Sequence, residues 1–235
     1  MKNSIIAILI LSILISGLTG FGDTITGTEK TGSVKISFIN TVKGKPMELH
    51  STEYKNPFDE TYTITKFKYY ISNVAFAFAD GMYSEMDSYH LIDEGKPESL
   101  SFSFQVFENG YHSISFMLGV DSARNVSGAQ TGALDPLNDM FWTWNSGYIM
   151  AKMEGNSPQS KVVNKKVEYH IGGFSGLNNV LKKLTLNFPE GMVLKIKEGK
   201  TSELVIEADF DKWWQQPTDL KVAEHPVCTT PGALA

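Results

Sequence analysis

Two short stretches hold the residues whose types could do chemistry. Residues 140–155 read MFWTWNSGYIMAKMEG and residues 169–174 read YHIGGF. The first combines two tryptophans one residue apart with a tyrosine and methionines, and the second puts a histidine ahead of two glycines. Imidazole with thioether suits copper, because thioether is a soft ligand that favours Cu(I) while imidazole serves several metals. Of the five histidines, no two stand at i, i+2 or i, i+4, and no HExxH occurs. Any metal site must therefore be assembled from separate strands.

Strand parity sorts the candidates. In residues 167–171 the apolar set is Val167, Tyr169 and Ile171, so His170 shares the other face with Lys166 and Glu168. It is a metal ligand or a surface histidine, and Gly172 and Gly173 after it allow backbone to approach closely. His90 shares a face with Ser88 and Ile92, as a ligand or as a half-buried structural group. His112 has the parity of Ile114, Phe116 and Leu118 and is expected in the interior or at its rim. His50 and His225 sit in polar loops. Cys228, the single cysteine, cannot pair within the chain and reads as an incidental thiol, with copper or heme ligation as the alternative.

The tryptophans have two readings. Taken as one extended segment, residues 140–155 place Trp142, Trp144, Tyr148 and Met150 on one face and Phe141, Ile149 and Met153 on the other. A segment apolar on both faces belongs to a central strand. Burying two indoles, at roughly 200 Å² each and about 25 cal/mol/Å², stabilises a core by up to ~10 kcal/mol, so packing alone is reason enough for them. Trp213 and Trp214 either stack on a sugar or close the base of the core.

Other chemistries lack their signatures. There is no GxSxG elbow, no P-loop and no EF-hand pattern, and no carboxylate pair suited to glycoside hydrolysis. Asp121, Asn125, Asp135 and Asp139 fall in one irregular stretch, 121–140, where Asx turns are the ordinary role. No enzyme is indicated. A formal charge of −5 without basic tracts argues against nucleic acid as a partner.

The elements that must position these residues are strands. Residues 33–42, 62–79, 88–93, 99–107, 111–120, 140–155, 167–174, 184–188, 192–197 and 202–210 alternate or run apolar between turn signals. The second of them is expected to break near Ser72 and Asn73, and Asn109-Gly110 signals a hairpin. Residues 211–216 suggest a helical turn capped by Asp211. Nine or ten strands at this spacing predict an all-β protein, an antiparallel β-sandwich with long loops. Lys2 followed by the aliphatic run 5–15 and small residues predicts an export signal over 1–22. That run is short of the ~20 residues that span a bilayer, and no second span follows. Residues 23–32 are expected to be a flexible lead-in, and 33–235 a single exported domain.

Together, W-x-W-N-S-G-Y and the strand carrying H-I-G-G resemble the MbnP-like copper-binding family of small exported β-sandwich proteins. KFKYYISNVAFAFADG at 66–81, DSYHLID at 87–93 and GVDSARNVSGAQTGALDP at 119–136 occur in the matching order. The resemblance implies periplasmic copper binding, as Cu(I) or Cu(II), and a diheme MauG-like peroxidase partner that converts one tryptophan to kynurenine at or near the copper. Carried residue by residue, His170 matches the histidine before the glycines, and Trp142 and Trp144 match the paired tryptophans, Trp144 being preferred for oxidation. His90 lies in a matching motif. Some relatives carry four cysteines, and this chain belongs to a cysteine-poor branch. The implied function is storage, delivery or sensing of one copper ion. The competing reading is a metal-free exported sandwich that binds a protein or carbohydrate.

Overall fold

The computed structural model describes residues 5–7, 30–85, 87–128, 130–143, 147–215 and 218–232. Of the expected signal over 1–22 only residues 5–7 lie among them, extended in parallel beside the last long strand. Eleven strands of three or more residues follow: β1 (Thr31–Val42), β2 (Thr61–Phe78), β3 (Gly81–Ser84), β4 (Tyr89–Asp93), β5 (Ser101–Phe107), β6 (Gly110–Leu118), β7 (Phe141–Thr143), β8 (Gly147–Asn156), β9 (Lys166–Gly172), β10 (Lys182–Asn187) and β11 (Thr201–Asp209).

They form an all-β sandwich. In the smaller sheet β1 is central, antiparallel to β5 and parallel to β11. The larger sheet is built on β2. One edge of β2 pairs with β8 and then with β6; the other pairs with β4 and β3. β9 adds outside β8, and β10 outside β6. The β1–β11 pairing and a short one between β9 and Val227–Cys228 are parallel, which strand spacing alone did not reveal.

The core lies between the sheets. β1 alternates as far as Asn40, with Val34, Ile36 and Phe38 buried, and these share one core with Tyr69, Ile71, Phe76, Ile114 and Phe116 of the larger sheet. At its base Trp214 is fully buried and its Nε1–H donates to Tyr62 Oη at 3.2 Å, while Trp213 packs edge-on to Phe67. These tryptophans close the core. The turn Phe210–Trp214 is capped by Asp209, whose side chain accepts from the Asp211 N–H, rather than by Asp211.

Several expectations change for stated geometric reasons. β2 runs unbroken for 18 residues, and the anticipated break survives as a register shift at Ser72 to Ala75 with Asn73 at φ 52°. The turn at Asn109-Gly110 does not close a hairpin: β5 joins the smaller sheet and β6 the larger, so the chain crosses between them there. His112 is exposed, because β6 carries one extra residue between its pairings with Ala77 and Phe78; the bulge turns Tyr111 inward and His112 out.

Candidate metal centre

The register of the larger sheet assigns each candidate to a face. Lys68 of β2 pairs with Asp93 on one side and with Lys152 on the other, and Lys152 pairs with His170. These side chains form one row on the outer face, and Lys66, Glu154 and Glu168 form the next row on that same face. Phe67, Met153 and Tyr169 lie between the rows and point into the core. One face is a core; the other is a ladder of charges.

On the outer ladder, donor atoms of His170, Glu154 and Glu168 all lie within 4.8 Å of one another. His170 Nε2 is 3.0 Å from Glu154 Oε1, a contact that puts the imidazole proton on Nε2. Burial, and then the Lys152 charge, push the His170 pKa below its ordinary value, so neutral imidazole persists to lower pH. Burial alone would raise the Glu154 pKa, but Lys66, His170 and Lys152 together hold it low. Lys66 Nζ is 3.1 Å from Glu154 Oε2, and Lys166 Nζ is 2.6 Å from Glu168 Oε1.

Lys152 is the unusual member. Its side chain is 2% exposed, and its ammonium reaches Asp139 Oδ2 at 3.0 Å and donates to the Asp139 carbonyl. Asp139 also bonds Lys66 at 3.2 Å. The 121–140 stretch is thereby tied down over the outer face at its far end. At its near end Asp121 caps the short helix Ser122–Asn125 and accepts from the Tyr89 hydroxyl. Under this cover a second apolar cluster of Tyr70, Val120, Leu134, Met140, Tyr148 and Met150 fills the rest of the face.

Residues 140–155 are not one extended strand. β7 folds back on β8, with Phe141 opposite Tyr148 and Thr143 opposite Gly147. Phe141, not Trp142, therefore shares the side of Tyr148, at 4.9 Å between ring centroids. The expectation of a central strand holds for β8 alone, which lies between β2 and β9 and is buried from Gly147 to Met153. Trp144 falls outside the described residues. Gly147, at φ +73°, needs its missing Cβ because the Asn125 amide oxygen occupies that space while accepting from the Tyr148 N–H at 2.8 Å.

Trp142 connects the two motifs. A Cβ on Gly172 would lie 2.6 Å from Cζ3 of the Trp142 ring, so the glycine of H-I-G-G is the seat of the first tryptophan. Gly172 follows His170 by two residues on the same face of β9, about 6.6 Å along a strand. The structure thus brings His170 and Trp142 to neighbouring positions.

It does not bring His90 to them. His90 pairs with Ile71, an odd three residues from Lys68, and so points to the inner face. There its ring stacks on Phe102 of the smaller sheet at 3.5 Å between centroids, with Glu85 Oε2 at 3.4 Å. A sheet separates it from His170, and one ion cannot be held by both. Cys228, opposite Tyr169, is likewise on the inner side, where burial raises its thiol pKa.

A family model for MbnP matches residues 31–230. This chain belongs to the MbnP family. A solved structure, MbnP from Methylosinus trichosporium, matches with a TM-score of 0.52 and 14% identity, covering 68% of this chain and 73% of that one. At that identity the likeness is one of fold. No curated protein matches. The family match runs from β1 through the Val227–Cys228 pairing, so the outer ladder and the covering loop both fall inside the MbnP region.

Of the ladder, parity along β9 already places Glu168 beside His170. Glu154 and Lys152 reach it only through cross-strand register, and Asp139 only through the path of a loop. Neither is a local signal.

Proposed function

We propose that this MbnP-family protein is an exported, non-catalytic holder of a single copper ion on the outer face of its larger sheet. His170 supplies the imidazole, Glu154 and Glu168 the oxygens, and Trp142 lines the site. The observation that carries this reading is the convergence of three ligand atoms within 4.8 Å beside the seat of a motif tryptophan. The donor set fits: one nitrogen and two carboxylates suit Cu(II) better than Cu(I), which prefers sulfur. Lys66 and Lys166, with side chains 44% and 51% exposed, can swing aside as the cation enters; Lys152 stays bound to Asp139. Storage or delivery in the periplasm, and oxidation of Trp142 or Trp144 to kynurenine by a diheme partner, belong to this reading.

The test is copper content of the mature protein from its native host, followed by titration of the metal-free form with Cu(II). Near one equivalent is expected, with a single-nitrogen hyperfine pattern in electron paramagnetic resonance. His170→Ala should weaken binding at least about tenfold, and Glu154→Gln and Glu168→Gln by a similar factor. Unchanged affinity in His170→Ala would remove the assignment.

The metal-free reading has one observation in its favour: Glu154, His170 and Lys66 already satisfy one another. A protein that neither carries nor takes up copper would establish it. Sugar stacking on Trp213 and Trp214 no longer supports it, since both pack into the core.

A further inference from the structure

Between the two sheets, on the side away from the metal ladder, lies a cavity of about 450 Å³. It is inside the range of about 300–1,000 Å³ of small-molecule sites. Its walls are Phe67, Tyr69 and Ile71 of β2, Phe116 of β6, Ile206 of β11 and Trp213. The polar groups in that set are the Trp213 indole N–H and the Tyr69 hydroxyl, the latter already spent on Asn40 Oδ1 at 2.8 Å. Among the described residues the sole buried side-chain polar atom without a partner is Asp211 Oδ1, and Asp211 is not part of the lining. Water entering such a space finds few of the two to four partners that hold it; an apolar guest loses nothing.

The mouth is charged. Glu207, Asp209 and Lys212 border it. The two carboxylates are engaged within the protein: Glu207 Oε1 accepts from Thr41 Oγ1 at 3.1 Å, and Asp209 Oδ1 from the backbone N–H groups of Lys43 and Asp211, each at 3.1 Å. Lys212 is exposed and forms no ion pair or hydrogen bond among the described residues. Each carboxylate thus has one oxygen engaged within the protein, and Lys212 is the one bordering charge with no internal partner among the described residues.

We propose that the cavity is a binding site for an amphiphile with an apolar tail and an acidic head, the tail between the sheets and the head on Lys212. A medium-chain carboxylate is the simplest such molecule. The site is independent of copper, since the β2 side chains that line it point to the opposite face from His170.

The probe is N-phenyl-1-naphthylamine, a neutral dye that brightens in apolar surroundings, displaced in turn by dodecanoate, dodecanol and dodecylammonium. Saturable dye binding is expected, with dodecanoate competing at least about tenfold better than dodecylammonium. Lys212→Glu should weaken dodecanoate by about tenfold and leave dodecanol unchanged. Leu184→Trp, which fills the cavity from β10, should abolish dye binding while the thermal unfolding midpoint stays within a few degrees. Absence of saturable dye binding by the wild type overturns the site. Dodecylammonium competing as well as dodecanoate overturns the head group, in favour of the mouth carboxylates. If Leu184→Trp does not fold, the wild-type series and Lys212→Glu still decide.

Discussion

The two faces of the larger sheet are made by the same strands yet differ in what holds them. Inward, β2, β6, β8 and β9 present Tyr69, Phe116, Met153 and Tyr169 to a core that closes against β1 and β11. Outward, the residues in between present lysines, carboxylates and His170, closed by a loop rather than by a second sheet. The inner face is stabilised by area removed from water, which tolerates no polar gap. The outer face depends on a few charge pairs with fixed partners. The main core belongs to one face and the proposed copper site to the other, and a single-residue change of register would exchange them.

Substitutions on each face sharpen that contrast. The largest effect is expected inside: Phe76→Ala, at a fully buried ring between the sheets, should cost about 3–5 kcal/mol in urea unfolding and take copper binding down with the fold. On the outer face Asp139→Asn leaves the buried Lys152 ammonium with less compensation. A loss of about 1–3 kcal/mol is expected, with the 121–140 segment becoming accessible to protease before the core unfolds. Equal protease resistance in that variant and the wild type would show that the loop is held by its apolar cluster alone.

Gly172→Ala tests the seam between the motifs. The added Cβ meets the Trp142 ring, so a loss of about 1–3 kcal/mol and a shift in tryptophan emission are expected. If the variant unfolds and fluoresces like the wild type, Trp142 does not rest on β9.

The outer face should also fail first in acid. Burial would raise the Asp139 pKa, but Lys152 and Lys66 outweigh it and leave it below 3.8. Its contribution is present above 3.8 and is lost as pH falls below that value through the lower folded pKa. The stability gap between wild type and Asp139→Asn, read as urea midpoints from pH 6 to pH 3, should narrow toward the acid end. The smallest effect separates the histidines: His90→Ala should leave copper affinity unchanged, whereas a loss matching that of His170→Ala would mean that the two do share an ion.

How far the sequence carries this picture can be judged residue by residue. The sandwich was legible because β1 and β8 carry clear alternation or unbroken apolar runs, and the position of His170 followed from Val167, Tyr169 and Ile171. His112 was misread because a bulge cancels parity without leaving a compositional mark. The Asn109-Gly110 turn was misread because a hairpin signal fixes a local reversal and says nothing about which sheet each strand joins. Glu154 and Lys152 could not be placed beside His170 because register is set by packing across the whole sheet.

The parallel pairing of β1 with β11 has a consequence for how the chain folds. The central strand of the smaller sheet must wait for residues 201–209, far downstream in the sequence, before its second edge is covered. Contacts so distant in sequence slow folding and leave that edge of β1 open until residues 201–209 have been made. A truncation before Thr201 would leave β1 half-paired and aggregation-prone rather than partly native.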